Sequence, residues 1–297
     1  MPGLTASRRI PPHVSHFGDR LTEAVLRKNS RLCVGLDPRP ETMPHEFRRR
    51  ISGDIERAGK AVLDFCVEVI EQVGAHAAAV KIQAACFERL GPYGAPVMFS
   101  IAYAAKQAGL LVIADVKRGD IPETAAHYAE AYFGPYHADA VTVNPLFGAE
   151  SVAPFIERGG VFVIVRPTNP GSSEFLDLRA DGAPLYEKIA AAVDRWGRDV
   201  VGASGWSSVG AVVSGRHPEE AATLRRLMPR TPFLVPGFGA QGGGAETVRP
   251  CFSGGLGALV NSSRGILQAH EKEPHRWEAA VEAAAREAKE RINAAVQ

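Results

Sequence analysis

Short runs of β-branched and small apolar residues recur along the chain, and most are followed by a stretch whose apolar positions repeat at helical spacing. The runs are RLCVGLD, AAAVKI, LLVIADVK, DAVTVN, GVFVIVR, VVGASG, PFLVPG and LGALVNSS. Each has the length and composition of a buried strand. The intervening segments DIERAGKAVLDFCVEVIEQV, SIAYAAKQAG, IPETAAHYAEAYFG, LYEKIAAAVDRWG, HPEEAATLRRLM and HRWEAAVEAAAREAKERI are amphipathic and rich in Ala and Glu, as helices are. Eight such alternations in 297 residues predict an α/β fold, a single-domain (β/α)8 TIM barrel. A doubly wound sheet shares the alternation, but the count favours the barrel. No fixed repeat or Pro/Ser-rich linker divides the chain, so the barrel is expected over residues 18–297, behind an N-terminal arm at 1–17. RPTNPGSSEFLDLRADGAP, after the fifth run, reads as a long loop at the barrel end where active sites lie.

Charge narrows the class of partner. With 34 basic and 33 acidic residues the net charge is +1, so no global field attracts nucleic acid or an anionic membrane. A small ligand met by a local site is expected. Cys33, Cys66, Cys86 and Cys251 are scattered without a CxxC pair and read as free cytosolic thiols. The nine histidines contain no HxH or HExxH pair, which leaves a metal site with little support. MPGLTASRRIPPHVSHF lacks an apolar signal core and no segment approaches a membrane span, so a cytoplasmic protein is expected.

Candidate chemistry begins where strands end in charge. Alternate residues of a strand share a face, so Leu111, Ile113, Asp115 and Lys117 point one way. The same parity groups Ala79 with Lys81, and Cys33 with Gly35 and Asp37. Any one of these charges alone reads more readily as a solvated strand end, a turn former or a surface ion pair. Four on the first three strands converge on the barrel mouth. Asp120 has two readings: a site carboxylate, or a helix N-cap with Glu123 as its reciprocal partner and Pro122 in the first turn.

A second cluster follows the last two strands. FGAQGGGAETV offers glycines whose backbone donors can approach a ligand, with Gln241 as side-chain donor, and NSSRGI places Arg264 at the start of a short helix. Barrels bind phosphate between these two loops, so a phosphorylated substrate is expected.

ADVKRGDI resembles the DxKxxDI signature of orotidine 5'-phosphate decarboxylases. GLDPRP, VKIQAACFERLG, VNPLFG, PTNPGS, VPGFGAQGG and NSSRGI resemble the accompanying blocks, in order from the first strand to the last, with the spacing of the longer bacterial class. The resemblance implies a homodimeric barrel that converts orotidine 5'-phosphate to UMP and carbon dioxide without metal or organic cofactor. It implies ribose contacts from Asp37 and Lys81, with Lys81 also in the charged array. It places Asp115 against the substrate carboxylate and makes Lys117 the proton donor to C6. Asp120 and Thr124 would reach the neighbouring subunit's site, Thr168 would meet the pyrimidine edge, and Gln241 and Arg264 would hold phosphate. Thr168 stands where the family pattern has serine, which keeps the hydroxyl, and Ile82 stands where the longer class often has proline.

Two rivals share part of this pattern. Magnesium-dependent sugar-phosphate enzymes, such as 3-keto-L-gulonate 6-phosphate decarboxylase and hexulose 6-phosphate synthase, carry a DxKxxD block, but Lys81 stands where an acidic residue is expected there. A non-catalytic pyrimidine-nucleotide sensor would keep the phosphate grip and have no reason to retain Asp115, Lys117 and Asp120.

Overall fold

The structure, a computed structural model, describes residues 16–51, 53–238, 245–271 and 274–296. Its parallel strands are β1 (Leu32–Leu36), β2 (Ala79–Gln83), β3 (Leu111–Arg118), β4 (Ala140–Val143), β5 (Gly160–Arg166), β6 (Val209–Val213), β7 (Phe233–Val235) and β8 (Ala258–Ser262). They pair in chain order, and β8 returns to β1 to close the barrel. The longer helices are α1 (Phe17–Lys28), α2 (Ile55–Val73), α3 (Gly94–Gln107), α4 (Pro122–Phe133), α5 (Ala149–Ile156), α6 (Leu185–Gly197), α7 (Pro218–Leu227) and α8 (Trp277–Val296).

Strand alternation splits the apolar residues into two layers. Val34, Val80, Val112, Val141 and Val163 pack outward with Phe65, Val69, Ile101 and Val193 of the helices. Cys33, Ala79, Leu111, Ile113, Ala140, Phe162, Leu234 and Leu259 fill the interior. Strands buried on both faces need apolar side chains at consecutive positions, which is why the runs lack polar alternation.

The end of the barrel away from the strand C-termini is closed by α1. Phe17, Leu21, Ala24 and Val25 join the interior cluster, and Phe17 meets Phe162 edge to face, with ring centroids 5.8 Å apart. Gly160 is required there, because a Cβ would fall 2.4 Å from the Phe17 ring. Buried Asp139 is matched by Arg20 of α1, by Lys106 Nζ at 2.7 and 2.9 Å, and by the Val112 N–H at 2.8 Å. Arg225 of α7 is buried with no carboxylate partner among the described residues, and burial lowers its pKa to about 10. Its guanidinium instead donates to the carbonyls of Met228, Thr231, Cys251 and Gly257, tying α7 to the loops around β7.

Four expectations change. The sixth strand is Val209–Val213 rather than VVGASG. Residues 200–205 bend through a turn in which Gly205 has φ 83° and donates to Gly202 O at 3.0 Å. The expected arm at 1–17 lies mostly outside the described residues, but Phe17 begins α1 and is buried. α1 and α5 add to the six segments with helical spacing. The long segment after β5 contains a short helix, Ser173–Leu176, and a two-stranded hairpin pairing Arg179–Ala180 with Ala183–Pro184. Its base is fixed by Arg166, which donates to Glu220 at 2.8 and 3.0 Å and to Asp177 at 2.7 Å.

Because α1 is held chiefly by its apolar face, Phe17→Ala is expected to cost about 3–5 kcal/mol of unfolding free energy. Urea denaturation measures that loss, and ligand affinity at the opposite end is expected to stay near the wild-type value.

Candidate active site

Asp37, Lys81, Asp115, Lys117, Thr168 and Arg264 line one cavity of about 520 Å³ at the strand C-termini. Strand register explains the convergence. β1 and β2 pair Gly35 with Lys81, and β2 and β3 pair Gln83 with Asp115, so successive inward positions bring opposite charges together.

The charges form an alternating row. Lys81 Nζ stands 3.6 Å from Asp37 Oδ1 and 2.8 Å from Asp115 Oδ2, and Lys117 Nζ stands 2.5 Å from Asp115 Oδ1. Burial opposes charge on Lys81, but the adjacent carboxylates of Asp115 and Asp37 outweigh it and hold its pKa above the ordinary lysine value. Burial likewise opposes charge on Asp115, and Lys81 and Lys117 hold its carboxyl well below the usual range. Both remain ionised across neutral pH. Below them, burial pushes the Cys33 thiol up to about 12, so it adds no charge.

Lys117 reaches this row by a route that simple alternation does not predict. β3 advances from Ala114 to Arg118 while β4 advances only from Val141 to Val143, so β3 bulges. Within the bulge Lys117 takes φ 47°, a left-handed conformation. Its side chain is 52% exposed, against 6% for Lys81 and 9% for Asp115. Of the two lysines it is the one able to meet both ligand and solvent.

Asp120 and Thr124 are not among the cavity's lining residues. The capping-box reading of Asp120 is corrected: Ile121 is the N-cap of α4, Pro122 opens the helix, and among the described residues Asp120 Oδ1 accepts from the Ile121 N–H, at 2.8 Å. Proline's fixed φ starts the helix one residue later than the Asp–x–x–Glu spacing suggests. Gln241 lies outside the described residues.

Three further polar residues belong to the site. Gln83 Nε2 donates to Asp115 Oδ2 at 3.1 Å, and Thr142 Oγ1 donates to Asp115 Oδ1 at 2.9 Å. Asn261 of β8 lines the cavity, and both its buried Oδ1 and that of Asp37 lack a hydrogen-bond partner among the described residues. Buried acceptors of this kind suit ligand hydroxyl or N–H groups. Their sequence signal is inward parity: Gln83 follows Lys81 by two, Thr142 follows Ala140, and Asn261 follows Leu259.

The cavity thus holds a carboxylate and ammonium row together with the Arg264 guanidinium, a lining in a barrel mouth that suits a small anionic ligand. Among the described residues, Glu46, Glu68 and Glu278 are close enough together to share a cation, and none of them lines this cavity. The family model for the orotidine 5'-phosphate decarboxylase / HUMPS family matches residues 30–277, and the chain belongs to that family. It is 42% identical to the orotidine 5'-phosphate decarboxylase of Rhodopirellula baltica, over 90% of this chain and 96% of that one. Identity to the orotidine 5'-phosphate decarboxylase of Caldicellulosiruptor bescii is 35%, over 95% and 99%. The solved Leishmania donovani OMP decarboxylase superimposes with a TM-score of 0.77 at 33% identity, covering 94% of this chain and 98% of that one.

The shifted pKa values set a pH test. Asp115's lowered value stabilises the fold above its unfolded pKa of about 4 and is lost as pH falls further, whereas Lys81's raised value stabilises below about pH 10 and is lost under more alkaline conditions. The stability gap between wild type and Asp115→Asn is therefore expected to be widest between about pH 5 and 9 and to shrink below about pH 4, as read from urea unfolding across pH.

Proposed function

We propose that this protein decarboxylates orotidine 5'-phosphate to UMP and carbon dioxide. The observation that carries the reading is the Asp37, Lys81, Asp115 and Lys117 row facing a cavity that also holds Arg264. Breaking the bond between C6 and the carboxylate releases carbon dioxide and leaves an electron pair on C6, in the plane of the ring. Ring carbonyls delocalise that pair poorly, so a positioned cation must stabilise it. A unit charge pair at ~4 Å and an effective dielectric of about 20 is worth about 4 kcal/mol. Lys117 supplies that charge and then its Nζ proton to C6, and it recovers a proton from solvent through its exposed side.

The remaining residues bind and orient. Asp37 and Lys81 hold the ribose hydroxyls, Thr168 meets the pyrimidine edge, and Arg264 with Gln241 grips the phosphate. Remote phosphate binding can then be used to order the site around C6. No metal or organic cofactor takes part. A magnesium-dependent sugar-phosphate reaction is less well matched, because an ammonium sits between Asp37 and Asp115.

A second copy completes the site. Asp120 and Thr124 lie outside their own chain's cavity, in a stretch where Ile121 is 55% exposed and where Phe147, 49% exposed, lies against Gly119, with Leu146, 75% exposed, next to it in the chain. Pairing these apolar side chains across a homodimer buries them and carries Asp120 and Thr124 toward the partner's site. The enzyme works in the cytoplasm, consistent with free thiols and with the lack, among the described residues, of a helix long and apolar enough to cross a membrane.

The ultraviolet change as orotidine 5'-phosphate becomes UMP tests the reaction, and turnover is expected to survive a chelator. Lys117→Ala is expected to abolish turnover while UMP still binds; retained decarboxylation would remove Lys117 as the donor. Mixing inactive Lys117→Ala and Asp120→Asn subunits is expected to restore part of the activity, and no rescue after demonstrated subunit exchange would count against a shared site.

A further inference from the structure

The Thr142 hydroxyl touches both the carboxylate at the centre of the charge row and the backbone that carries its outer lysine. Its Oγ1 donates to Asp115 Oδ1 at 2.9 Å and accepts the Val116 N–H at 2.9 Å and the Lys117 N–H at 3.0 Å. One donor and two acceptor sites are thus all used. The residue is 1% exposed, on the inward face of β4 two positions after Ala140.

These bonds sit where β3 leaves regular pairing. Between the Ala114–Val141 and Arg118–Val143 pairs, β3 has more backbone than β4 can partner. The surplus N–H groups of Val116 and Lys117 would otherwise be unpaired beside a buried carboxylate, and a single side-chain oxygen receives both. Holding those two donors on one atom favours a tight local turn, and Lys117 adopts φ 47° within it. A lysine in regular extended backbone would leave Asp115 along a different vector.

We propose that Thr142 is a positioning residue for the decarboxylation reaction: by clasping the β3 bulge and Asp115 with one hydroxyl, it aims the Lys117 ammonium at the reacting carbon. The inference rests on the reading of the site as an orotidine 5'-phosphate decarboxylase. It assigns Thr142 no contact with the ligand. Its effect falls on the chemical step, because the sugar and phosphate contacts come from β1, β2 and the loops after β7 and β8.

Thr142→Val keeps the side-chain shape and removes the hydroxyl, whereas Thr142→Ser keeps the hydroxyl. Conversion of orotidine 5'-phosphate by wild type comes first, since its absence would overturn the functional reading rather than this inference. Given that conversion, Thr142→Val is expected to lower kcat about 100-fold or more, the scale expected when a reacting group is misplaced by about 1 Å. KM and UMP affinity are expected to stay within a few-fold, and Thr142→Ser is expected to restore kcat to within several-fold of wild type. If Thr142→Val does not fold, Thr142→Ala is compared with Thr142→Ser in the same way. The inference is overturned if kcat is unchanged without the hydroxyl, if Ser fails as fully as Val or Ala, or if kcat, UMP affinity and melting temperature all fall together.

Discussion

Asp115 is the interaction on which the site depends. Its carboxylate is nearly buried, and burial alone would drive it toward the neutral acid. It stays charged because Lys81, Gln83, Lys117 and Thr142 all donate to it. Those donors come from β2, β3 and β4, so forming the charge requires the strands to be in register, and losing the register would strand a charge in the interior. Such a group contributes little net stability compared with an apolar replacement of similar shape, but breaking one side of it is expensive. Its value lies in fixing where two ammonium groups stand.

That requirement divides the barrel into two ends. At the α1 end the buried charges are well matched: Asp139 has Arg20, Lys106 and a backbone donor, and Arg225 has its carbonyls. At the strand C-termini the matching is incomplete, and Asp37 and Asn261 keep buried acceptor atoms without hydrogen-bond partners among the described residues. A barrel that satisfied every group at both ends would gain stability and leave nothing for a ligand to bind. Incomplete satisfaction at one end is tolerable because the apolar interior, closed by α1, holds the strands in place.

The barrel was legible because a parallel strand buried on both faces writes itself as a continuous apolar run, and eight such runs separated by helical spacing admit few folds. The error at VVGASG is instructive: Val200 and Val201 have the right side chains, but Gly202 and Gly205 follow at once, and the turn they allow outcompetes extension. In VGAVV the single Gly210 sits where a Cβ would fall 2.5 Å from Phe162. The same residue type breaks one run and is required by packing in the other, a difference that depends on long-range contacts. At the site, parity along the strands is enough to bring Lys81, Asp115 and Asp37, the residue just past the end of β1, to one cavity. Simple alternation does not account for Lys117, whose position depends on a bulge. Of the two local readings of Asp120, the helix cap fails because Pro122 moves the helix start.

Thr142 shows why the rest was hidden. A threonine within an apolar strand run is unremarkable, since its methyl group packs like that of valine and its hydroxyl can satisfy a local backbone group. Its importance comes from the facing strand, where backbone that β4 cannot pair needs an acceptor and a buried carboxylate needs a donor. One hydroxyl meets both needs, so the irregularity of β3 and the ionisation of Asp115 are coupled through a neighbour that carries no charge. The charged residues mark this site in the sequence, but their geometry is set by side chains that look like ordinary core until the strands are laid side by side.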